Sequence, residues 1–335
     1  MITETTSLKE LKTYPAIKEI WPYLIYNNAG DGAGNLKDDS WTLSDINQKN
    51  PTWSAKDMAY GLNTILDLAN EQKPFLYSVY DEKEVAEDPG KAYVKLMFFP
   101  AKERKEDAKT AILAAGGGYG GVCSMGEAFP VAAKMRELGI DVFCLNYRVA
   151  GKGTLFPKPM EDLAAAYAFL KKSEKELGIC MKDYAVGGFS AGGHLAACWG
   201  TKELGYRKYG YEKPKALLLD YPLINIWRTM KAFPIPIKTM MLVRLFGMKF
   251  SEKKCKPYDV DLAVDEGYPA TYMIQAENDT VVPIWNSREF AEKLESLGVP
   301  HEYELVAAGG HGYGLGTDTP AEGWVERALD FWRRS

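Results

Sequence analysis

The sequence predicts an α/β fold in which a mostly parallel central sheet carries helices on both faces. Two observations lead to this prediction. From about residue 110 onward, short apolar segments alternate with segments of helical periodicity. Within these short segments the apolar residues are consecutive and do not alternate with polar ones, which is typical of strands that are buried on both sides.

The predicted strands and helices follow one another along the chain. Strands are predicted at 110–115, 141–147, 183–188, 215–221, 270–276 and 301–306. Helices are predicted at 54–69, 126–138, 160–177, 191–204, 284–297 and 320–334. Gly178, directly after one of these helices, is a typical helix end. The alternation implies a parallel sheet whose connections are helical.

The chain is predicted to form a single domain over residues 1–335, because α/β enzymes often exceed 250 residues as one unit. Two regions lie outside the alternation. Residues 1–72 are interpreted as an N-terminal extension. Residues 223–257 are rich in aromatic, Met and Pro residues and are too long for a simple connection, so they are interpreted as a helical cap insertion over the site. An ordinary helical crossover with core-facing methionines is the alternative.

Composition excludes several classes of partner. The 41 Lys and Arg residues are outnumbered by 45 Asp and Glu residues, so no basic surplus is available for nucleic acid. No apolar window approaches the length of a membrane span, and we expect no membrane partner. The first residues lack the pattern of a secretory signal, so a cytoplasmic location is expected if this is the native start. The five cysteines form no CxxC pair and the three histidines have no metal-ligand spacing, so we expect neither a metal nor a cofactor.

The pentapeptide Gly188-Phe189-Ser190-Ala191-Gly192 has the G-x-S-x-G pattern and lies between a predicted strand and a predicted helix. A nucleophile elbow requires this context, because its tight turn exposes the serine hydroxyl and leaves room only for glycines two residues on either side. The amide of Ala191 would then point to where negative charge develops. The alternative is a glycine-rich helix start packed against the sheet. Ser190 is therefore the candidate nucleophile.

A second set of candidate amide donors follows the first predicted strand, in Gly116-Gly117-Gly118-Tyr119. Glycines let the backbone approach a substrate closely and direct amides at its carbonyl oxygen. The alternative is a nucleotide or phosphate loop, but no Lys-Ser/Thr follows the glycines. The segment is interpreted as part of an oxyanion and substrate-binding site.

The three histidines allow the base to be chosen by elimination. His194 lies four residues after Ser190 on the same predicted helix, where a structural role is expected. His301 begins a predicted strand after a Gly-Val-Pro turn and is expected at the surface. His311 lies in the glycine-rich segment 309–314 after the last predicted strand, and is the candidate base.

The acid that orients the base is expected between the serine and the histidine in chain order. Asp279 follows the predicted strand at 270–276 and precedes a helix. It would hold the His311 tautomer and stabilise the imidazolium. Glu277, nearer the strand, and Asp265, at the other end of that strand, are the alternatives.

These motifs together resemble those of the α/β-hydrolase fold esterases, in particular the acetyl-xylan-esterase-like and hormone-sensitive-lipase-like branch. The shared features are the GGGY loop at 116–119, the NYR strand end at 146–148, GFSAGGH at 188–194, the DTVV segment at 279–282 and HGYG at 311–314. The resemblance runs from about Tyr93 to the C-terminus. It implies an oxyanion site built from the amides of Gly117, Gly118 and Ala191.

The resemblance also implies structural roles for Arg148 and Asp162. Ala115 stands where lipase-like relatives carry His, which makes a lipid substrate less favoured. The cap insertion would place a hydrophobic wall over Ser190. Its candidate residues are Ile226, Trp227, Met230, Phe233, Met240 and Met241.

The sequence thus predicts a serine carboxylic-ester hydrolase that removes short acyl groups, acetyl first among them, from a carbohydrate or a similar small ester. The alternatives are an amidase such as an arylformamidase, an exopeptidase of the same fold, and a binding module without activity. The partner is expected to be a small ester, such as an acetylated oligosaccharide, and a homo-oligomer is left open. Trp227, Phe233, Trp285 and Tyr313 could stack on sugar rings, or could instead belong to the core.

Overall fold

The computed structural model describes residues 1–27, 36, 38–71, 74–104 and 108–335, so the predicted boundary at residue 72 lies outside the described residues. The strands β1–β10 within these ranges are, in chain order, Tyr26–Asn27, Leu76–Ser78, Lys95–Phe99, Thr110–Ala114, Gly121–Val122, Asp141–Asn146, Ala185–Phe189, Ala216–Asp220, Ala270–Ala276 and His301–Val306. The α-helices α1–α16 are Leu8–Leu11, Pro15–Leu24, Leu43–Lys49, Ala55–Asn70, Glu82–Glu87, Ala128–Glu137, Lys158–Lys172, Glu174–Leu177, Ser190–Trp199, Tyr206–Tyr209, Ile226–Lys231, Ile235–Phe246, Glu252–Cys255, Val260–Ala263, Trp285–Ser296 and Trp324–Arg334.

Eight of the strands form the central sheet, in the order β10-β9-β8-β7-β4-β6-β3-β2. The neighbours from β10 to β6 are parallel. At the other edge, β3 pairs antiparallel with both β6 and β2. A mostly parallel sheet flanked by helices confirms the predicted fold, whereas the sequence prediction missed the antiparallel edge.

The middle strands explain why the apolar pattern in the sequence is continuous. Every residue of β4, β7 and β8 is buried. Helix α9 packs against β7 and β8, α6 against β6, and α16 against β9. The carboxyl ends of β4, β7, β8 and β9 therefore meet at one edge of the sheet, where parallel α/β folds place their sites.

Three predicted helices differ from the observed ones, and one of them, predicted at 320–334, begins only at Trp324. The helix predicted at 160–177 is divided at Ser173 into α7 and α8. The helix predicted at 191–204 ends at Trp199, and the following Gly200 is packed against the Tyr268 ring, which leaves no room for a side chain there. Helical periodicity in the sequence did not mark either end.

The helices before β2 form a layer on α6. Helix α4 packs against α6, and α2 and α3 pack against α4. The contact with α6 is close at Gly61, where a Cβ atom would lie 3.0 Å from the backbone nitrogen of Pro130. Met58, Leu62 and Ile65 of α4 are fully buried. This layer extends to the edge of the sheet where the candidate site lies.

The segment between β8 and β9 contains α11, α12, α13 and α14. Helix α12 begins after Pro234 and ends before Gly247, whose φ is +82°. It buries Leu242 and Leu245 while exposing Ile235 and Met240. Of the helices within the described ranges, none is long and apolar enough to span a membrane.

Candidate active site

Ser190 lies at a sharp turn between β7 and α9. Its φ is +53°, a conformation that costs a non-glycine residue about 1–3 kcal/mol. A Cβ atom at Gly188 would lie 2.2 Å from the carbonyl oxygen of Gly192, and one at Gly192 would lie 2.0 Å from that of Ala114. Both glycines are therefore required by the turn, which holds the Ser190 side chain at the carboxyl edge of the sheet.

The structure brings together the three residues that the sequence predicts as nucleophile, base and acid. Nε2 of His311 lies 2.8 Å from Oγ of Ser190, and Nδ1 of His311 lies 2.8 Å from Oδ2 of Asp279. The alternative acids lie elsewhere: Glu277 is exposed, and Asp265 forms ion pairs near the amino end of β9. The arrangement can transfer a proton from a serine hydroxyl to an imidazole.

Asp279 is held by three further donors. Its Oδ1 accepts hydrogen bonds from the amides of Val281 and Val282 at 2.8 and 2.9 Å, and its Oδ2 accepts one from Nε2 of Gln275 at 3.0 Å. The side chain of Asp279 is fully buried. These bonds fix the carboxylate plane that faces His311.

Hydrogen bonds and ring packing hold the loop that carries His311. The hydroxyl of Thr52 donates to the carbonyl oxygen of His311 at 2.7 Å, and the amide of Gly310 donates to Oδ1 of Asn278 at 2.8 Å. The ring of Tyr221 packs against the imidazole, with 4.8 Å between ring centroids. Sequence reasoning missed Thr52 and Asn278, because no local pattern links either residue to the loop.

The other two histidines cannot act on Ser190. Nε2 of His194 lies 2.7 Å from the carbonyl oxygen of Tyr258 and must donate, so Nδ1 accepts from the hydroxyl of Tyr119 at 2.6 Å. Burial lowers the pKa of His194 to about 4, so this imidazole stays neutral. His301 pairs with the start of β9, at the opposite edge of the sheet from Ser190.

The glycine-rich loop after β4 is anchored at both ends. The amide of Gly116 donates to Oε2 of Glu127 at 2.5 Å, and Tyr119, with φ of +58°, bonds to His194. The φ of Gly117 is +129°, and a Cβ atom there would lie 2.4 Å from the carbonyl oxygen of Gly121. The loop therefore needs glycine at this position for its shape.

The predicted amide donors lie partly around the Ser190 cavity. Gly118, Tyr119 and Ala191 line the same cavity as Ser190, whereas Gly117 does not. Ala191 is in the first turn of α9, where amides have no partner within the helix. The roles of these amides in holding an oxyanion stay predictions.

The cavity at Ser190 has a volume of about 210 Å³ and an apolar lining. The predicted wall residues Ile226, Met230, Phe233 and Met241 line it, together with Leu223, Thr229, Ile237, Leu245, Val281 and Val282. For two residues, the prediction that they line the cavity wall was wrong. Met240 points to solvent from α12, and the ring of Trp227 is covered by the ammonium groups of Lys231 and Lys238 instead of facing the cavity.

Most of the candidate sugar-stacking residues are unavailable. Tyr313 is only 2% exposed, and Trp285 carries the guanidinium of Arg228 at 3.9 Å from its ring centroid. Of the four candidates, Phe233 alone lines the cavity, and its surroundings are apolar.

Arg148 pairs with the fully buried Asp162. This ion pair agrees with a structural role for both residues. Among the described residues, no cluster of three or more His, Cys, Asp or Glu side chains could hold a metal ion.

The chain was compared with known families and solved structures, and the matches share its fold. The BD-FAE family model, of hormone-sensitive-lipase-like α/β-hydrolases, matches residues 97–294. That range contains Ser190 and Asp279 and ends before His311.

Two curated proteins are similar over about three quarters of the chain. The endo-1,4-beta-xylanase B of Butyrivibrio fibrisolvens is 25% identical over 262 residues, which are 75% of this chain and 40% of that protein. The acetylxylan esterase of Xylanibacter ruminicola is 25% identical over 254 residues, 74% of this chain and 49% of that protein. The chain thus spans less than half the length of either relative.

Two solved structures are also similar. The acetyl ester-xyloside bifunctional hydrolase from Caldicellulosiruptor lactoaceticus is 25% identical with a TM-score of 0.66, covering 77% of this chain and 95% of that one. A bacterial heroin esterase is 27% identical with a TM-score of 0.59, covering 72% of this chain and 79% of that one.

Proposed function

Because the chain belongs to the BD-FAE family of α/β-hydrolases, we propose that it is a serine carboxylic-ester hydrolase that removes short acyl groups from a carbohydrate or a similar small ester. The observation that carries this proposal is the pair of 2.8 Å contacts that joins Ser190, His311 and Asp279 in series. The names of the relatives, an acetylxylan esterase and an acetyl ester-xyloside hydrolase, favour acetyl as the acyl group.

In the first half of the reaction, Ser190 becomes acylated. Nε2 of His311 takes the hydroxyl proton while Oγ of Ser190 attacks the ester carbonyl carbon. The carboxylate of Asp279 holds the Nδ1 proton and stabilises the imidazolium. The amides of Ala191 and of the glycine-rich loop donate to the oxyanion, where each donor is worth about 10²–10³ in rate. The leaving alcohol then takes the proton from His311.

In the second half, water removes the acyl group. His311 takes a proton from the water molecule as its oxygen attacks the acyl-enzyme, and the oxyanion forms in the same place. Collapse of the tetrahedral intermediate returns the proton to Oγ of Ser190 and releases the carboxylic acid. The enzyme ends the cycle in its starting protonation state.

The apolar cavity would receive the acyl group. It is lined by aliphatic and aromatic side chains and no charged one, which favours an uncharged acyl group. Its volume is about 210 Å³, and an acetyl group fits within it. The alcohol part of the substrate would extend away from α12.

A substrate panel tests the proposed function. We expect hydrolysis of 4-nitrophenyl acetate and release of acetate from acetylated xylo-oligosaccharides, with no release by the Ser190→Ala variant. The panel also contains N-formylkynurenine, the substrate that an arylformamidase would use. Turnover of that amide in preference to every acetate ester would contradict the proposal.

A further inference from the structure

Glu127 is a buried carboxyl group behind the candidate triad. The residue is 3% exposed. Its Oε2 accepts the hydrogen bond from the amide of Gly116 at 2.5 Å, and its Oε1 lies 3.3 Å from the hydroxyl of Tyr221. Within the described ranges, no Lys or Arg side chain forms an ion pair with it. An uncompensated carboxylate is costly to bury, which suggests that the position serves the site.

The hydrogen bonds of Glu127 reach both loops that hold the reacting groups. Gly116 begins the glycine-rich loop after β4. The hydroxyl of Tyr221 donates towards Glu127 and accepts from the amide of Gly314 at 3.1 Å, in the loop that carries His311. Glu127 therefore joins the loop expected to hold the oxyanion, directly, to the loop that carries His311, through the Tyr221 hydroxyl.

Glu127 also lies close enough to His311 to act through its charge. A Cβ atom placed at Gly312, the next residue, would lie 3.7 Å from Oε1 of Glu127. Burial raises the pKa of Glu127 to about 7, and the charge of His311 only partly opposes that rise. The carboxyl group therefore changes its charge in the pH range in which a histidine base works.

The other titratable groups around Glu127 are also buried. Burial raises the pKa of Cys123, Tyr147, Asp220 and Tyr221, and these are the groups whose charges couple to Glu127 besides His311. Asp279 contacts His311 from the other side through Nδ1. Glu127 is the carboxyl group among them that bonds directly to the glycine-rich loop, through the amide of Gly116.

We propose that Glu127 is a positioning residue for ester hydrolysis, which holds the glycine-rich loop against the His311 loop and whose negative charge favours the imidazolium formed as Ser190 attacks. This inference rests on the proposed function. It assigns Glu127 no contact with the substrate.

Glu127→Gln tests the charge, because glutamine has nearly the same shape and can still accept the hydrogen bond from Gly116. We expect kcat for 4-nitrophenyl acetate to fall about tenfold or more. This decrease is smaller than the decrease of about 10²–10³ that follows loss of an oxyanion donor. KM should change much less. The acidic limb of the kcat/KM profile should move to lower pH, because the imidazole loses its negative neighbour. A purely structural role would not move this limb.

Glu137→Gln is the matched control. Glu137 is exposed at the last position of α6, whereas Glu127 directly precedes the helix, so about 15 Å of helix separates them. The control should keep the wild-type kcat, KM and pH profile. If wild type and control both fail to hydrolyse the ester, the proposed function fails and this inference falls with it.

Tyr221→Phe separates the hydrogen bonds from the charge. It removes the hydroxyl between Glu127 and Gly314 and leaves the carboxylate in place, so kcat should fall while the acidic limb stays. With active wild type and control, a Glu127→Gln variant with unchanged kcat and limb would overturn the proposal. If circular dichroism shows that Glu127→Gln does not fold, the Tyr221→Phe variant decides alone. In that case, a kcat of Tyr221→Phe equal to that of the wild type would overturn the proposal.

Discussion

The hydroxyl of Tyr119 lies 2.6 Å from Nδ1 of His194, so a buried hydrogen bond joins the glycine-rich loop to the helix that begins at Ser190. Tyr119 adopts a φ of +58°, which is unfavourable for a side chain of this size. The bond to a neutral imidazole, itself fixed by Tyr258, helps to keep the loop in this conformation.

Removing this hydroxyl should weaken both stability and turnover. Tyr119→Phe leaves Nδ1 of the buried His194 with only the weak thiol donor of Cys198, at 3.7 Å, and losing the stronger partner costs about 1–3 kcal/mol. We expect the free energy of unfolding in urea to fall by this amount and kcat to fall with it. Tyr77→Phe is the control, since the Tyr77 hydroxyl bonds to Pro74 at the sheet edge. Equal stability of the two variants would contradict the prediction.

Ser190→Ala should abolish ester hydrolysis without changing the fold. Triad members act as a unit, so we expect kcat to fall by about 10⁴ or more. Ser296→Ala, which removes an exposed hydroxyl from α15, should keep wild-type kcat. Near-wild-type turnover by a folded Ser190→Ala variant would show that another group is the nucleophile.

The histidines give a second, internally controlled comparison. His311→Ala should lower kcat about as severely as loss of the serine, because no other histidine reaches Oγ of Ser190. His301→Ala should be nearly silent, since His301 lies at the amino edge of the sheet. Steady-state kinetics with 4-nitrophenyl acetate measure both variants, and exchanged effects would contradict the assignment of the base.

Two adjacent methionines of α12 test the acyl cavity. Met241 lines the cavity, whereas Met240 is 44% exposed. We expect wild-type kcat/KM to be lower for octanoate than for acetate and butyrate esters, because Met241 and its neighbours on α11 and α12 wall the cavity and limit the length of the acyl group. Met241→Ala should raise the ratio of kcat/KM for octanoate to kcat/KM for acetate by about 10-fold or more. The reason is that room for even one more methylene group is worth about 1–3 kcal/mol. Met240→Ala should leave the ratio unchanged. A wild-type preference for octanoate over acetate would argue against a short-chain acylesterase.

The burial of Glu127 should also affect stability. Its folded pKa of about 7 lies above the ordinary value of 4.5, so the unfolded chain loses this proton first. The stability that the protonated form contributes is present below pH 4.5 and is lost as pH rises to about 7. The full loss is about 3 kcal/mol, at 1.36 kcal/mol per pKa unit.

Urea unfolding at pH 5 and pH 8 measures this effect. The free energy of unfolding of Glu127→Gln should fall less between the two pH values than that of the wild type. Glu137→Gln should follow the wild type. The same pH dependence in all three proteins would show that Glu127 is not buried as a titrating group.

The parts of the fold that were predictable are those with a local signal. The strands β4, β6, β7, β8 and β9 have continuous apolar runs. The G-x-S-x-G pattern around Ser190 is also local, and Gly188 is required by the carbonyl oxygen of Gly192 four residues later. The strand Lys95–Phe99 is equally apolar, but it pairs antiparallel at the sheet edge and precedes the helix–strand alternation on which the prediction was based.

The parts that were not predictable depend on contacts between distant segments. Glu127 stands just before a helix and resembles an ordinary capping residue until the fold brings Gly116, after β4, and Tyr221, after β8, to its side chain. Trp227 and Met240 were expected over Ser190, but the side that a residue faces depends on where its helix begins. The first residue of each helix could not be predicted from the sequence of this insertion, because its composition shows no clear helical pattern.

The hydroxyl of Thr52 beneath the carbonyl oxygen of His311 limits how far this scaffold can be shortened or recombined. The family-matched range, 97–294, omits both residues. A minimal version cut to that range would lack His311, the candidate base, and also the hydroxyl that supports its loop. A chimera that combines this sheet with segments of another protein should therefore keep the N-terminal segment through α4. Otherwise it should supply another hydrogen-bond donor to the carbonyl oxygen of His311 in place of Thr52.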